Sequence, residues 1–228
     1  AYSDNQSIIA SEASGIGEGA VAALAGARIG LPRGTGAEAF LLGVLSAAGL
    51  GENDVDLVNV PPAELVTALN QGDVDAVAIW QPWGATALTQ VNGATLVQAG
   101  GCPECYDPGT ILTTQSVVEE NAETLERFMA AFAESQAWVR ANTEAAAEIN
   151  MRWIQGVELE TMALALGSVS LDPRISTYTA EMYQAKTLPF LVGLGRIEEI
   201  FDPSGAIDTR FLEAAEASNP DAFADLEP

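Results

Sequence analysis

The chain has no histidine and one lysine, Lys186, among its 228 residues. Without histidine it lacks the commonest general base and metal ligand at neutral pH. A Ser-His-Asp triad, a Cys-His nucleophile and a His-bearing zinc site are all excluded. Basic residues number 9 against 32 acidic ones, a formal charge of −23. Such a surface repels nucleic acid and anionic membranes, and it suits a salty habitat or an acidic proteome. The two cysteines, Cys102 and Cys105, cannot close a tetrahedral zinc site alone. No apolar run reaches the roughly 18 residues that suggest a membrane span. No basic segment followed by an apolar stretch opens the chain, so any signal peptide is expected to have been removed.

What is present suits one large or two small domains: 48% of the residues are hydrophobic, enough for a sizeable core. The organising stretch is Pro32-Arg33-Gly34-Thr35-Gly36-Ala37-Glu38. Ala27 to Leu31 before it reads as a short buried strand. From Ala37 the pattern turns helical, with Phe40, Leu41, Val44, Leu45 and Ala48 at spacings of three and four and Gly49 as the stop. Thr35 stands where an N-cap belongs, and Glu38 three residues on completes a capping box. The unpaired N–H groups and positive dipole end of a helix N-terminus make an anion site, and the glycines allow close approach. The spacing is neither that of a Walker loop nor that of a dinucleotide fold. An ordinary capped helix is the plainer reading of the loop by itself.

Strand and helix signals then alternate. Strands are expected at Ser7–Ala10, Asp54–Asn59, Val74–Trp80 and Thr95–Ala99, with helices from Pro62 to about Gly72 and from Pro82 to Val91. Ala13 to Ala25 reads as a glycine-rich linker. This order predicts an α/β fold with a mostly parallel sheet, whose ligands bind beyond the carboxyl ends of the strands. The glycine loop and the Trp80 segment both lie there. Beyond Thr110–Thr114, a further expected strand, the chain is helical. Leu125, Phe128, Met129, Phe132 and Val139 mark one face of a helix to about Ala141. Further helices are expected at 143–154, 158–166, 176–188 and 208–217. The acidic tail from Asn219 to Pro228 reads as mobile.

Three segments, "PRGTGAEAFLLGVLSAAGL", "VNVPPAELVTALNQGDVDAVAIWQPW" and "DPGTILTTQSVVEENAETLERFMAAF", together resemble the substrate-binding proteins of ABC importers for aliphatic sulfonates, taurine and nitrate. The resemblance runs from about Ser7 to Asn150 and more loosely to Asn219. It implies a type II periplasmic-binding-protein lobe with a mostly parallel sheet, followed by a helical C-terminal portion belonging to the other lobe. Residues 1–12 would be a hinge strand from lobe one, 13–107 lobe two, 108–116 the second hinge strand, and 117–228 the helical C-terminal part of lobe one. Family members carry roughly 90–100 further residues before this point, about the size of a small lobe. The chain is therefore expected to be the C-terminal part of a longer protein.

By the same resemblance, Gly34, Thr35, Gly36 and the Ala37 helix N-terminus would hold sulfonate oxygens. Arg33 either faces the ligand or balances nearby acids. Glu38 is a cap partner or the acceptor of a ligand ammonium, which favours a zwitterion such as taurine. Trp80 and Trp83 form a wall of the site or of the core. Gln81 stands where relatives often carry an acid, and Asn5 and Gln6 lie at the hinge. The implied partners are a small anionic or zwitterionic ligand and an ABC permease, with no cofactor, metal or nucleic acid and no membrane insertion by this segment. The implied setting is periplasmic or extracellular, with lipid anchoring through a part not present here as an option. In an exported protein the Cys102-Pro103-Glu104-Cys105 loop reads as a stiffening disulfide, with a redox pair as the alternative. Two other functions fit the outline: a pyrimidine synthase of thiamine biosynthesis, which needs the histidine this chain lacks, and a ligand-sensing receptor domain.

Overall fold

A computed structural model describes residues 5–100, 109–175 and 177–226. The expected Cys102–Cys105 pairing lies outside the described residues. The chain forms two compact units: residues 1–107 with 146–170, and residues 108–145 with 171–228. The sheet unit thus recruits residues 146–170, which the sequence places in a helical portion spanning 117–228.

The sheet unit contains β1 (Gln6–Ala10), β2 (Arg28–Leu31), β3 (Asp56–Asn59), β4 (Ala76–Trp80) and β5 (Thr95–Ala99) in the order β3-β2-β4-β1-β5. β2 runs parallel to both β3 and β4, and β1 lies antiparallel between β4 and β5. Four strands therefore share one direction, as the strand–helix alternation predicts. β4 is central and apolar on both faces, with Ala76 to Ile79 fully buried. The linker before β2 is less open than expected, because Glu12–Ser14 and Val21–Leu24 form short 3₁₀ turns and Leu24 is buried.

The connections set the faces. β2 leads through α1 (Gly36–Ala47) to β3, and β3 leads back through α2 (Pro62–Gln71) to β4. The two crossovers step in opposite directions, so right-handed connections put α1 and α2 on opposite faces. α3 (Trp83–Gln90) follows β4 and packs on the face of α2: Leu65, Leu69, Ala87 and Val91 enclose Ile9, Val77 and Ile79 in one core cluster. α1 packs on β1 and β4 through its apolar stripe of Phe40, Leu41, Val44 and Leu45. α6 (Thr143–Asn150) ends four residues earlier than expected. Its Ala147 joins Val157 and the buried Met162 of α7 (Leu159–Gly167) in a second cluster.

The helical unit holds α4 (Gln115–Glu120), α5 (Ala122–Ala141), α8 (Thr177–Met182), α9 (Leu188–Gly193) and α10 (Arg210–Ser218). Tyr183–Thr187 continues α8 as a π-helical turn that runs into α9. Three expectations change in this unit. First, residues 109–114 carry no strand, and Ile111 and Leu112 are exposed; the β-branched run has no ladder partner among the described residues. Second, α5 buries Met129, Ala133 and Ala137 against the Leu212 side of α10, while Phe128 is 48% exposed and stacks on Phe132. Small residues let the two helices approach closely, so alanines form the seam. Third, the tail is packed. Pro220–Phe223 form a turn whose Ala222 and Phe223 complete that core, and Arg140 of α5 clamps it by pairing with Asp225 at 2.7 Å and donating to the Ala222 carbonyl at 2.8 Å.

Candidate ligand-binding site

The candidate residues gather at the carboxyl edge of the sheet. The chain leaves β2 towards α1 on one face and leaves β4 towards α3 on the other. Between two such neighbouring parallel strands a crevice opens, the usual place for a ligand in an open α/β sheet. Pro32–Thr35 after β2 and Trp80–Pro82 after β4 border it. The antiparallel β1 brings its first residues to this edge, with Gln6 opposite Trp80 and the Asn5 carbonyl accepting the Gln81 N–H at 2.8 Å. Topology thus gathers the Gly34 loop, Trp80, Gln81, Asn5 and Gln6 from distant points of the sequence.

The glycine loop differs in detail from the capping box. Gly34 turns the chain with φ +76, a conformation that favours glycine. Thr35 occupies the N-cap position, but its hydroxyl donates to the Pro32 carbonyl at 2.7 Å and caps nothing. Glu38 reaches one residue further back than a capping box requires, and its Oε2 accepts the Gly34 N–H at 2.6 Å. The side chain is folded under the loop, and Glu38 is only 4% exposed. Its Oε1 pairs with Arg33 Nε at 3.0 Å, while Arg33 Nη2 meets Glu52 Oε1 at 2.7 Å. The Arg33 N–H donates to Asn59 Oδ1 at the end of β3. Arg33 therefore balances acids, the second of its two expected roles.

Among the described residues the N–H groups of Thr35, Gly36 and Ala37 meet no protein acceptor. They are the helix-start donors that an intrahelical ladder leaves unused. Together with the α1 dipole they can hold two or three oxygens of a small oxyanion. Sequence reasoning missed Glu52 and Asn59. Neither stands at a motif spacing from Arg33, and only the β2–β3 pairing brings them close.

Other expected site residues have structural work. Gln81 Oε1 accepts the Ala85 N–H at 3.0 Å and so caps the first turn of α3, which follows a cis Gln81–Pro82 peptide. Trp83 packs against the α2–α3 cluster and the α6–α7 cluster, and Trp80 against the former. Both are half-buried at the sheet edge.

This architecture is that of the type II periplasmic binding proteins. The crystal structure of the periplasmic aliphatic sulphonate binding protein of Escherichia coli aligns with 92% of the chain at TM-score 0.75 and 24% identity, over 71% of its own length. The alkanesulfonate-binding protein of Xanthomonas axonopodis, solved bound to MOPS, aligns with 90% at TM-score 0.77 and 22% identity, over 70% of its own length. Residues 3–154 match the NMT1-like family, and the chain belongs to that family. A Brucella abortus protein named as a binding protein is 29% identical over 147 residues, 63% of this chain and 46% of its own. A Bacillus subtilis protein named for binding aliphatic sulfonates is 26% identical over 208 residues, 91% of this chain and 61% of its own. The chain spans about half the length of such relatives.

Proposed function

We propose that the chain supplies the ligand-holding loop of a solute-binding protein of an ABC importer, and that the ligand is a small sulfonate or a related oxyanion-bearing molecule. The observation that carries this reading is the row of unused N–H donors at Thr35, Gly36 and Ala37, seated at the crevice of the sheet. Relatives named for sulfonate and nitrate binding support it. In this reading the donors that meet the ligand are uncharged backbone N–H groups, because Arg33 is engaged by Glu38 and Glu52. A protein of charge −23 offers no diffuse attraction to an anion, so fixed backbone dipoles must supply the positive potential locally. Burying an oxyanion without partners costs several kcal/mol, and the three donors offset that cost.

Residues 1–12 and 108–116 act as hinge segments in the same proposal, with closure of two lobes delivering the ligand to a permease outside the cytoplasm. No helix among the described residues is long and apolar enough to cross a membrane. Histidine-dependent pyrimidine synthesis is disfavoured, because the chain has no histidine to supply it. Calorimetry with ethanesulfonate, 2-aminoethanesulfonate and nitrate tests the reading. Saturable binding of a sulfonate is expected, and heats no larger than dilution for all three would overturn it.

A further inference from the structure

Helix α5 carries a second apolar row that its contact with α10 does not use. Met129, Ala133 and Ala137 serve that contact. Leu125, Phe128, Phe132, Ser135 and Val139 follow one another at spacings of three and four. With 3.6 residues per turn they form a separate row, turned roughly a third of the circumference from the first. This is the alternation by which one helix meets another in a coiled coil. Phe128 and Ser135 are exposed, and Leu125, Phe132 and Val139 are half-buried. The Phe128 and Phe132 rings stack with centroids 6.2 Å apart, so the row presents an ordered aromatic surface. The exposed Trp138 borders it.

The row is also free of charge. The five charged residues of α5, Glu123, Glu126, Arg127, Glu134 and Arg140, all fall on the remaining arc of the helix. An uncharged strip about four turns long thus lies on a chain of charge −23.

We propose that this row is a self-association surface, on which a second copy of the chain seats its own α5 in antiparallel orientation. Two acidic copies repel wherever their surfaces carry carboxylates. Along the row they can meet without bringing like charges together, and a strongly basic partner finds nothing there to pair with. Two-fold symmetry sets the same strip against itself. In the antiparallel arrangement Phe132 of one copy lies across from Ser135 of the other, and Phe128 across from Val139. Each ring then meets a smaller side chain, as a knob meets a hole. The aromatic residues fill the centre of the contact, where binding energy concentrates.

Sedimentation velocity of the whole chain over a range of concentrations tests the proposal. A monomer–dimer equilibrium is expected. It should tighten as salt rises from about 0.1 to 1 M, because the Debye length shortens from about 10 to 3 Å and screens the repulsion between copies. Ser135 donates only within its own helix, to the Phe132 carbonyl at 2.8 Å. Ser135→Glu therefore puts a carboxylate in the row without removing apolar packing, and it should weaken the dimer about thirtyfold or more. Phe128→Glu should weaken it at least as much. Leu164→Glu removes an exposed leucine of the sheet unit instead and should leave the dimer unchanged. A parent that stays monomeric at every concentration and salt leaves the row to a different polypeptide and overturns the proposal. So does a dimer that survives both row substitutions, one that Leu164→Glu weakens equally, or one that dissociates as salt rises. Should Phe128→Glu lose its helical circular dichroism, Ser135→Glu, on an exposed side chain, decides alone.

Discussion

Replacing Glu38 with alanine is expected to destabilise the sheet unit by about 2–4 kcal/mol. The largest part is the bond from the Gly34 N–H, which at 2.6 Å is short and charge-assisted. A hydrogen bond to a charged group contributes roughly 1.5–3 kcal/mol. The Arg33 pair adds at most about 1 kcal/mol, because the Arg33 side chain is 34% exposed and water screens it. The carboxylate in the first turn of α1 adds a few tenths through the helix dipole. Glu38→Gln should lose about half as much, since an amide oxygen still reaches Gly34. Urea unfolding of parent and both variants, followed by far-UV circular dichroism, gives the free energies. A Glu38→Ala protein within about 0.5 kcal/mol of the parent would show that the carboxylate does not hold the turn.

Gly30 lies in β2 where an added Cβ would stand 2.9 Å from Leu65 Cδ2 and 3.3 Å from two Val74 methyls. Gly30→Ala should therefore cost about 1–3 kcal/mol despite the better strand propensity of alanine, and a stabilised protein in the same urea assay would refute the close packing. Asp75 accepts from Arg28 Nη2 at 2.9 Å and from the Arg28 N–H at 2.8 Å, and the side-chain bond holds its carboxyl below the ordinary value. A depressed carboxylate stabilises above its unfolded pKa and loses that contribution as pH falls through its folded one. The cost of Asp75→Asn should accordingly be full at neutral pH and shrink below about pH 4, and a cost that ignores pH contradicts the pairing. Phe223→Ala should cost the helical unit about 3–5 kcal/mol, as for a buried phenylalanine. Proteolysis of the tail should accelerate in that variant, and a tail cleaved equally fast in the parent would mean that it is not packed.

The strands were legible because each is a short apolar run bounded by glycine, proline or acidic residues, and the loop because a glycine pair sits between a strand and a helical period. Local spacing stopped being informative where partners are distant. Thr35 and Glu38 satisfy a capping box by spacing, yet the Gly34 turn offers Glu38 a nearer N–H and turns the Thr35 hydroxyl to Pro32. Arg33 had two readings until β2–β3 pairing brought Glu52 beside it. Gln81 is a ligand-contact candidate by sequence, and no sequence rule marks it as a glutamine that also caps the helix after its own strand. Phe128 is among the large apolar residues spaced along one face of α5, whereas contact with α10 runs through Ala133 and Ala137. The tail read as mobile from its acids, although one aromatic residue and one arginine clamp hold it. Thr110–Thr114 has the composition of a strand, but a strand needs a neighbour to pair with.

An oxyanion resting on the N–H groups of Thr35, Gly36 and Ala37 can be seen by crystallography. A crystal of the protein grown with 2-bromoethanesulfonate carries an anomalous scatterer on a sulfonate ligand. A bromine peak is expected in the crevice between the Pro32–Thr35 loop and the Trp80–Pro82 segment, with sulfonate oxygens within hydrogen-bonding distance of at least two of those three N–H groups. A bromine peak elsewhere, or a sulfonate held by side chains with the three N–H groups still unused, would contradict it.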